Sequence, residues 1–283
     1  MGSEVKKGVK YSTVELMVSL AAKQIRNGDR VILGQGIPIA AGVLAKMTHA
    51  PGCVLMTEGG IVDFEPYKSP FHIAESTTMK GFSYACDLAD VFTTILFRGY
   101  VDLCFLGAAQ VDRYGNINST VVGDYENPRL RLPGAGGAAD FIAHARRTVI
   151  TLRGGEFVEK LDYCSSPGYL DGSDTREKAG FPPGTGPNLL ISSQGVFGFD
   201  KKTKELYLKG CFPGVEVDDI KANIPWDLKI ARRLERVEPP PEEHLRIIRE
   251  FERDLILRKG EDRGRLVDSF VKFIMGKQLK KKK

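Results

Sequence analysis

The stretch "RVILGQGIPIAAGVLAKM", Arg30–Met47, decides the fold. A short β-branched run at its start predicts a strand over Arg30–Gly34. The glycines that follow predict a tight loop, and the alanine-rich sequence Ile39–Met47 then favours a helix. A strand, a loop and a helix in this order form the repeating unit of α/β proteins.

Three similar apolar runs follow along the chain, at Cys53–Thr57, Val101–Gly107 and Arg147–Leu152. Each run is continuous rather than alternating, which is typical of strands buried on both faces of a parallel sheet. Upstream, a capping box at Ser12–Glu15 predicts a first helix that ends near Asn27. We therefore expect an open, mostly parallel sheet with helices on both faces.

The C-terminal part of the sequence differs in composition from the part before it. Glycine and proline crowd residues 165–188, and this predicts a long loop of a length that is usually functional or disordered. The runs "LLISS", "VFGFD" and "ELYLKG" predict a short antiparallel extension of the sheet. Pro239–Pro241 mark a break before a new helix. We expect an α/β domain over residues 1–238, a helical segment packed on it over 239–276, and a basic disordered tail over 277–283.

Composition and charge exclude several classes of protein. The formal net charge of the 283 residues is +5, which equals the contribution of the five lysines between Lys277 and Lys283, so the rest of the chain is neutral and no nucleic-acid partner is expected. The five cysteines are scattered without a CxxC pair and the four histidines do not cluster, so we expect no metal site. No apolar run suggests a signal peptide or a membrane span, and a cytoplasmic location is expected.

Three segments follow predicted strands, where open α/β sheets bind ligands, namely "GQGIP", "TEGGIVD" and "GAAQVDRYGNIN". A fourth, "LPGAGGAADF", precedes an apolar helix-like stretch. In "LMTEGGIVD", Glu58 stands at a strand end before Gly59 and Gly60, so its carboxylate could face a cleft beside glycine N–H groups. The alternative is an ordinary surface glutamate in a turn. The glycine-rich Pro133–Ala138 and the segment beginning "GAAQ", Gly107–Gln110, could approach a ligand closely, or could be tight turns that pack against the sheet.

Taken together, these motifs resemble those of class I CoA-transferases, in particular the β subunits of the glutaconate CoA-transferase type. The motifs that carry the resemblance occur in the order "EGG…VD", "GAAQVDRYGNINST", "GDYENPRLRLPGAGGA" and "DYCSSPGYLDG". The resemblance extends from about Tyr11 to the region of Trp226. It implies a Rossmann-like CoA-transferase fold and a separate α subunit as partner.

The resemblance also implies site residues. Glu58 matches the nucleophilic glutamate of the family's "ESG" motif, with Gly59 in place of the serine. The glycine-rich and "GAAQ" segments match loops around the active site and the acyl-CoA. The oxyanion and acyl-CoA contacts expected on this basis are Gly59, Gly60, Gly107, Ala108, Ala109, Gln110, Gly134, Gly136, Gly137 and Ala138.

The implied activity is the transfer of CoA between an acyl-CoA and a free mono- or dicarboxylate through a glutamyl-CoA thioester. Coenzyme A is then a co-substrate, and no bound cofactor or metal is needed. Glutaconate is the leading acid by resemblance. Arg129 and Arg131 could bind CoA phosphates or a substrate carboxylate, or could be solvated. Two alternatives are an acyl-CoA decarboxylase or C–C hydrolase on the same fold, and a non-catalytic effector-binding module.

Overall fold

In the computed structural model of the protein, residues 10–65, 73 and 75–251 are described. The α-helices of these residues are α1 (Thr13–Ala22), α2 (Ile37–Met47), α3 (Leu88–Asp90), α4 (Ala138–His144), α5 (Thr175–Lys178), α6 (Val217–Ala222) and α7 (Glu242–Phe251). A π-helical turn, Val91–Leu96, continues α3, and a 3₁₀ turn covers Ser76–Met79.

The strands of the described residues are β1 (Arg30–Ile32), β2 (Val54–Met56), β3 (Ile61–Val62), β4 (Tyr84–Ala85), β5 (Leu103–Gly107), β6 (Gln110–Val111), β7 (Ile117–Asn118), β8 (Val121–Gly123), β9 (Pro128–Arg131), β10 (Thr148–Leu152), β11 (Glu156–Phe157), β12 (Pro187–Ser192), β13 (Gly195–Phe199), β14 (Leu206–Cys211) and β15 (Lys229–Arg236). Ten of them form one sheet in the order β15-β14-β13-β12-β10-β5-β1-β2-β3-β4.

The centre of this sheet is parallel. Strands β2, β1, β5, β10 and β12 all run in the same direction. Ile32 of β1 lies between Met56 of β2 and Cys104 of β5, so the carboxyl ends of these three strands meet at one edge. The predicted open, mostly parallel sheet is confirmed.

Both edges of the sheet are partly antiparallel. The hairpins β12–β13 and β13–β14 confirm the predicted antiparallel extension. At the other edge β3 and β4 add a second antiparallel extension, which was not predicted because each strand has only two residues. Strand β15 pairs parallel to β14 and was also not predicted, because "KIARRLER" is charged and largely exposed.

Helices cover both faces of the sheet, as predicted. Successive strand residues alternate between two apolar clusters: Val31 joins the cluster that includes α1, α2 and α7, whereas Ile32 joins the cluster that includes α4, α6 and the π-helical turn. This alternation explains why the strand sequences read as continuous apolar runs.

Several predicted boundaries were wrong. Helix α2 begins at Ile37, two residues early, because Pro38 suits the first turn of a helix and Gly36 precedes it with a φ of 82°. Helix α1 ends at Ala22 rather than near Asn27. The expected long loop 165–188 contains α5, and its last two residues already belong to β12.

Helix α7 confirms the helix expected after the prolines. Its Ile247, Ile248 and Phe251 belong to the same apolar cluster as α1 and α2. The rest of the segment 239–276, and the tail 277–283, lie outside the described residues. The proposed division of the chain at residue 238 therefore stays a prediction.

Candidate active site

Glu58 stands at the tip of a tight hairpin. Strand β2 ends at Met56, and the N–H of Gly60 donates to the carbonyl of Thr57 at 3.1 Å, which turns the chain into β3. Gly60 has a φ of 92°, and a Cβ atom there would lie 1.9 Å from the Cys86 carbonyl oxygen. Only glycine fits this close approach, so the "TEGG" sequence presents the half-buried Glu58 side chain at the end of the strand.

A partly buried ion pair holds the base of this hairpin. The Lys46 ammonium of α2 donates to Asp63 Oδ1 at 2.5 Å and to the Cys53 carbonyl at 3.1 Å. Ser83 Oγ donates to the other carboxylate oxygen of Asp63 at 3.0 Å. The hydrogen bond from Lys46, with that from Ser83, holds the pKa of Asp63 below its usual value. The hairpin is therefore fixed to α2 and to the segment before β4.

A glycine-rich loop meets the Glu58 carboxylate. It extends from β9 to the start of α4, where the N–H of Gly137 donates to Glu58 Oε2 at 3.2 Å. A Cβ atom at Gly137 would lie 2.9 Å from Glu58 Oε2 and 2.5 Å from Cζ of Phe92. A Cβ atom at Gly136 would lie 3.7 Å from both carboxylate oxygens. The absence of side chains is what lets this loop touch the carboxylate.

Two open clefts meet at Glu58 and Gly136. The first has a volume of about 400 Å³ and is mainly apolar, with Leu88, Phe92 and Phe97 along one wall. The second has a volume of about 290 Å³ and lies at the carboxyl ends of β1 and β5. Among the described residues that line the two clefts there is no lysine, arginine or histidine.

The structure brings only some of the predicted residues to these clefts. Those that line them are Glu58, Gly107, Gly134, Gly136, Gly137 and Ala138. Gly59 is exposed beside Glu58, with Oγ1 of Thr57 at 3.7 Å from a Cβ placed there, so the position has room for a side chain.

The rest of the "GAAQ" segment does not line either cleft. The N–H groups of Ala108 and Ala109 donate to the carbonyls of Thr151 and Asn118. Gln110 is buried, and its amide donates to Asp162 Oδ2 at 2.9 Å and accepts from Asn118 Nδ2 at 2.8 Å. These contacts anchor the loop, and a direct contact of Ala108, Ala109 or Gln110 with acyl-CoA stays a prediction.

The hydrogen bonds also distinguish the possible oxyanion donors. The N–H groups of Gly60 and Gly134 are already used within the protein, by the carbonyls of Thr57 and Ser119. Within the described part of the chain, the N–H groups of Gly59 and Gly136 have no hydrogen bond. Gly136 is thus a loop residue with a free donor, and a Cβ atom built there would lie 3.7 Å from both carboxylate oxygens of Glu58.

The apolar wall was not predicted from the sequence. Leu88 and Phe97 are 56% and 47% exposed beside Glu58, and Phe92 stacks on Phe141 of α4 at a centroid distance of 5.2 Å. Leu88 and Phe92 are four residues apart, a spacing that puts two side chains on one helical face. This face could have been predicted, but nothing in the local sequence indicates that it adjoins the glutamate.

The described residues contain neither a candidate metal site nor a candidate membrane span. No group of three or more histidine, cysteine, aspartate or glutamate side chains in them could hold a metal ion. None of their helices is long and apolar enough to cross a membrane. His144 lies at the end of α4 and Ser165 and Ser166 are buried, whereas His72 lies outside the described residues.

Comparison with known proteins identifies the family of this site. The sequence model of the family described as "Coenzyme A transferase" matches residues 14–223. The chain belongs to this family. Its match with the CoA-transferase family spans all of the strands and loops that build the Glu58 clefts.

Individual CoA-transferases are similar over most of the chain. The B subunit of glutaconate CoA-transferase from Acidaminococcus fermentans is 35% identical, over 85% of this chain and 92% of that polypeptide. The B subunit of 3-oxoadipate CoA-transferase from Pseudomonas knackmussii is 34% identical, over 90% of this chain and 98% of that polypeptide.

Solved structures share the architecture. The crystal structure of the Acidaminococcus fermentans enzyme superposes with a TM-score of 0.80 at 32% identity, covering 85% of this chain and 94% of that one. The decarboxylase AibA/AibB superposes with a TM-score of 0.73 at 25% identity, covering 87% of this chain and 97% of that one. The CoA-transferase fold therefore also occurs in a decarboxylase.

Proposed function

We propose that the chain is the B subunit of a heteromeric CoA-transferase in which Glu58 is the covalent nucleophile. The observation that carries this proposal is the Gly137 N–H bound to a carboxylate that stands, half-buried, where two clefts meet. The hydrogen bond holds Oε2, whereas Oε1 has no hydrogen bond among the described residues, and Glu58 lines both clefts. A carboxylate that is positioned in this way can attack a thioester carbonyl.

The exchange has two covalent steps in each direction. Glu58 attacks the carbonyl of the acyl-CoA, the C–S bond breaks, and an acyl-glutamyl anhydride and CoA thiolate result. The thiolate then attacks the glutamyl carbonyl of the anhydride, which releases the first acid as a carboxylate and leaves a glutamyl-CoA thioester. A second carboxylate then attacks the glutamyl-CoA thioester, which gives a new anhydride and CoA thiolate. The thiolate attacks the acyl carbonyl of this anhydride, which releases the new acyl-CoA and regenerates the Glu58 carboxylate.

Each attack creates a tetrahedral oxyanion. The N–H groups of Gly59, which follows Glu58 in sequence, and of Gly136, in the loop that contacts Glu58, have no hydrogen bond in the described chain and are the donors that we propose. A backbone donor directed at such an oxyanion is commonly worth about 3 kcal/mol of transition-state stabilisation. Gly136 is the stronger candidate because it belongs to the loop that already contacts the carboxylate.

We propose a dicarboxylic acid as the acceptor or donor. The two relatives of highest identity above are named for glutaconate and 3-oxoadipate, which both have two carboxyl groups. The described lining of the clefts has no cationic side chain for a distal carboxylate. The cation that binds it would therefore come from outside this lining, and the partner A subunit is the source that we propose.

The experiment that tests the mechanism is trapping of the thioester. The complex of this chain with its A subunit would be incubated with acyl-CoA in the absence of an acceptor, reduced with borohydride, and mapped by peptide mass. Conversion of the Glu58 carboxyl to the alcohol is the expected result. The Glu58→Gln variant should give no such product, whereas Glu65→Gln, which changes an exposed glutamate nearby, should react like the wild type.

Two results would contradict this function. An unmodified Glu58 in a complex that still consumes the thioester would exclude the covalent route and favour hydrolysis or decarboxylation. Full transferase activity in the Glu58→Gln variant would assign the nucleophile to another residue.

A further inference from the structure

The loop 165–188 contains a buried cation. Arg176 of α5 is only 3% exposed, and it makes no ion pair with any carboxylate of the described residues. Its guanidinium lies over the ring of Phe181 at 4.3 Å. Burial without a counter-charge lowers the pKa of Arg176 to about 10. Such a group is costly to bury, so its contacts need an explanation.

Main-chain carbonyl groups accept most of the hydrogen bonds that this guanidinium donates. Nη2 donates to the carbonyl of Ile142 at 2.7 Å and approaches that of Ala143 at 3.4 Å. Nη1 donates to the carbonyls of Pro167, at 3.0 Å, and Gly168, at 2.5 Å. Arg176 thus joins two stretches of backbone that are distant from each other along the chain.

The carbonyls of Ile142 and Ala143 belong to the last turn of α4. The chain leaves the helix at Ala145, whose φ and ψ are −66° and 141°. The N–H of Arg146, which would bind the Ile142 carbonyl if the helix continued, donates instead to Val101. The last carbonyls of a helix lack intrahelical partners and carry partial negative charge, so a cation there stabilises the helix end.

The N-terminal end of α4 lies at the active site. Gly137, which contacts Glu58, precedes the first residue of the helix. At a rise of about 1.5 Å per residue, Gly137 and Ile142 are only about 7.5 Å apart along the helix axis. A helix this short moves as one body. The stack of Phe141 on Phe92 is a second contact that holds it.

We propose that Arg176 is a positioning residue for the reaction: by holding the C-terminal carbonyls of α4, it sets the Gly137 N–H on the Glu58 carboxylate. This inference rests on the proposed nucleophilic role of Glu58. On this proposal the function of the glycine- and proline-rich loop 165–188 is to place Arg176 at the C-terminal end of α4.

Arginine has the chemistry that this position requires. Its planar fork has five N–H donors in fixed directions, so it can bind α4, the segment Pro167–Gly168 and the hydroxyl of Thr185 at once. Lysine would bring the same charge but a single nitrogen. Methionine would fill similar volume and leave the helix carbonyls unpaired in a buried place.

The test compares Arg176→Met and Arg176→Lys with Arg249→Met in the complex with the A subunit. Arg249 of α7 pairs with Glu15 of α1 at 2.6 Å, so its loss removes an ion pair on the face of the sheet opposite to α4. Three quantities would be measured at a temperature where each variant is folded: the rate of glutamyl-thioester formation, KM for acyl-CoA, and deuterium uptake of a peptide that covers residues 134–144.

Arg176→Met should slow thioester formation at least 10-fold relative to Arg249→Met, with KM changed less than threefold and with faster exchange in residues 134–144. Arg176→Lys should recover part of the rate, and it replaces the methionine variant in every comparison if that variant does not fold. Wild-type rate or unchanged exchange in these variants would overturn the inference. A wild-type complex that forms no thioester would overturn the proposed function instead, and the exchange data would still test the contact.

Discussion

Gly137 carries the main steric constraint of the site. Its missing side chain lets the loop N–H reach Glu58, and Cβ would lie 2.5 Å from the Phe92 ring. We expect Gly137→Ala to lose about 1–3 kcal/mol of stability through overpacking and about 100-fold in kcat through displacement of the N–H. Thermal unfolding and steady-state kinetics measure both effects.

Gly107 supplies the matched control for this change. It lines the second of the two clefts, and a Cβ atom at Gly107 would meet nothing within 4 Å. Gly107→Ala should therefore retain wild-type stability. Equal losses of stability in the two alanine variants would show that crowding at Phe92 and Glu58 does not cause the destabilisation of Gly137→Ala.

Substitution by serine should have opposite effects on folding at the two glycines that follow Glu58. Gly59 has room for a side chain, whereas a Cβ atom at Gly60 would strike the Cys86 carbonyl in a backbone conformation with φ of 92°. We expect Gly59→Ser to fold normally and to keep kcat within about threefold, because the new group makes only van der Waals contacts. Gly60→Ser should give little folded protein. Circular dichroism and the transferase assay distinguish the two outcomes, and a folded Gly60→Ser protein would contradict the steric requirement for glycine in this turn.

The glutamate was predictable from the sequence, but only part of its surroundings was. Glu58 stands out because a carboxylate followed by two glycines at a strand end is a local pattern. That the apolar wall and Arg176 belong to the site was not predictable, since each reaches the site only through contacts that are distant along the chain. The "GAAQ" segment shows the converse, because a motif that is strong in sequence contributes only Gly107 to the cleft lining.

Helix α7 is attached to α1 by a buried polar contact. Nδ1 of His244 and Oγ of Ser19 are 2.8 Å apart, and both residues are buried. Burial, with the charge of Lys23 and the neighbouring His49, lowers the pKa of His244, while Glu243 opposes this. The folded protein therefore favours the neutral imidazole.

This contact predicts a pH dependence of stability. Below the unfolded pKa of about 6.5, the unfolded chain binds a proton that folded His244 resists, so the free energy of unfolding should fall as the pH is lowered from 7 towards the folded pKa. It should be constant with respect to this group above pH 7. Urea unfolding at several pH values measures the slope.

His244→Gln keeps a hydrogen-bonding side chain without a titration in this range, and its slope between pH 7 and 5 should be smaller. His144→Gln serves as the control because His144 lies in α4 and is not among the groups that shift the pKa of His244. An identical slope in wild type and His244→Gln would contradict the role of His244.

The elements themselves were predicted to different degrees. The central strands and α2 follow from apolar runs and from glycine punctuation, which are local properties. Strand β15 has no such pattern, and it forms because β14 offers an open edge to a charged, exposed segment. The boundaries of α1 and α2 moved by a few residues because capping geometry, rather than periodicity, determines where a helix begins and ends.

At the scale of the whole molecule, the apolar rim of the active site indicates where a partner would bind. Leu88 and Phe97 border the Glu58 cleft and remain largely exposed in this chain. We expect Leu88→Asp and Phe97→Asp to reduce co-purification with the A subunit at least 10-fold, because a carboxylate in a buried apolar contact is strongly unfavourable. Size-exclusion chromatography of the co-expressed chains measures this.

Met47→Asp changes an exposed apolar residue at the end of α2, away from the cleft lining, and should leave assembly intact. Each variant alone should keep the far-ultraviolet spectrum of the wild type. Normal assembly of both rim variants would place the subunit contact on another surface.

The packing of α7 against α1 and α2 also has a consequence for how the protein is made. The two helices at the beginning of the described chain share an apolar cluster with the helix at its end, so a ribosome must synthesise nearly the whole α/β domain before the surface of α1 and α2 can be covered. During that interval the nascent chain exposes alanine-, leucine- and isoleucine-rich surface to other chains and to chaperones. Fragments that stop before Glu242 should collect in inclusion bodies even though they contain all of the described residues that line the Glu58 clefts.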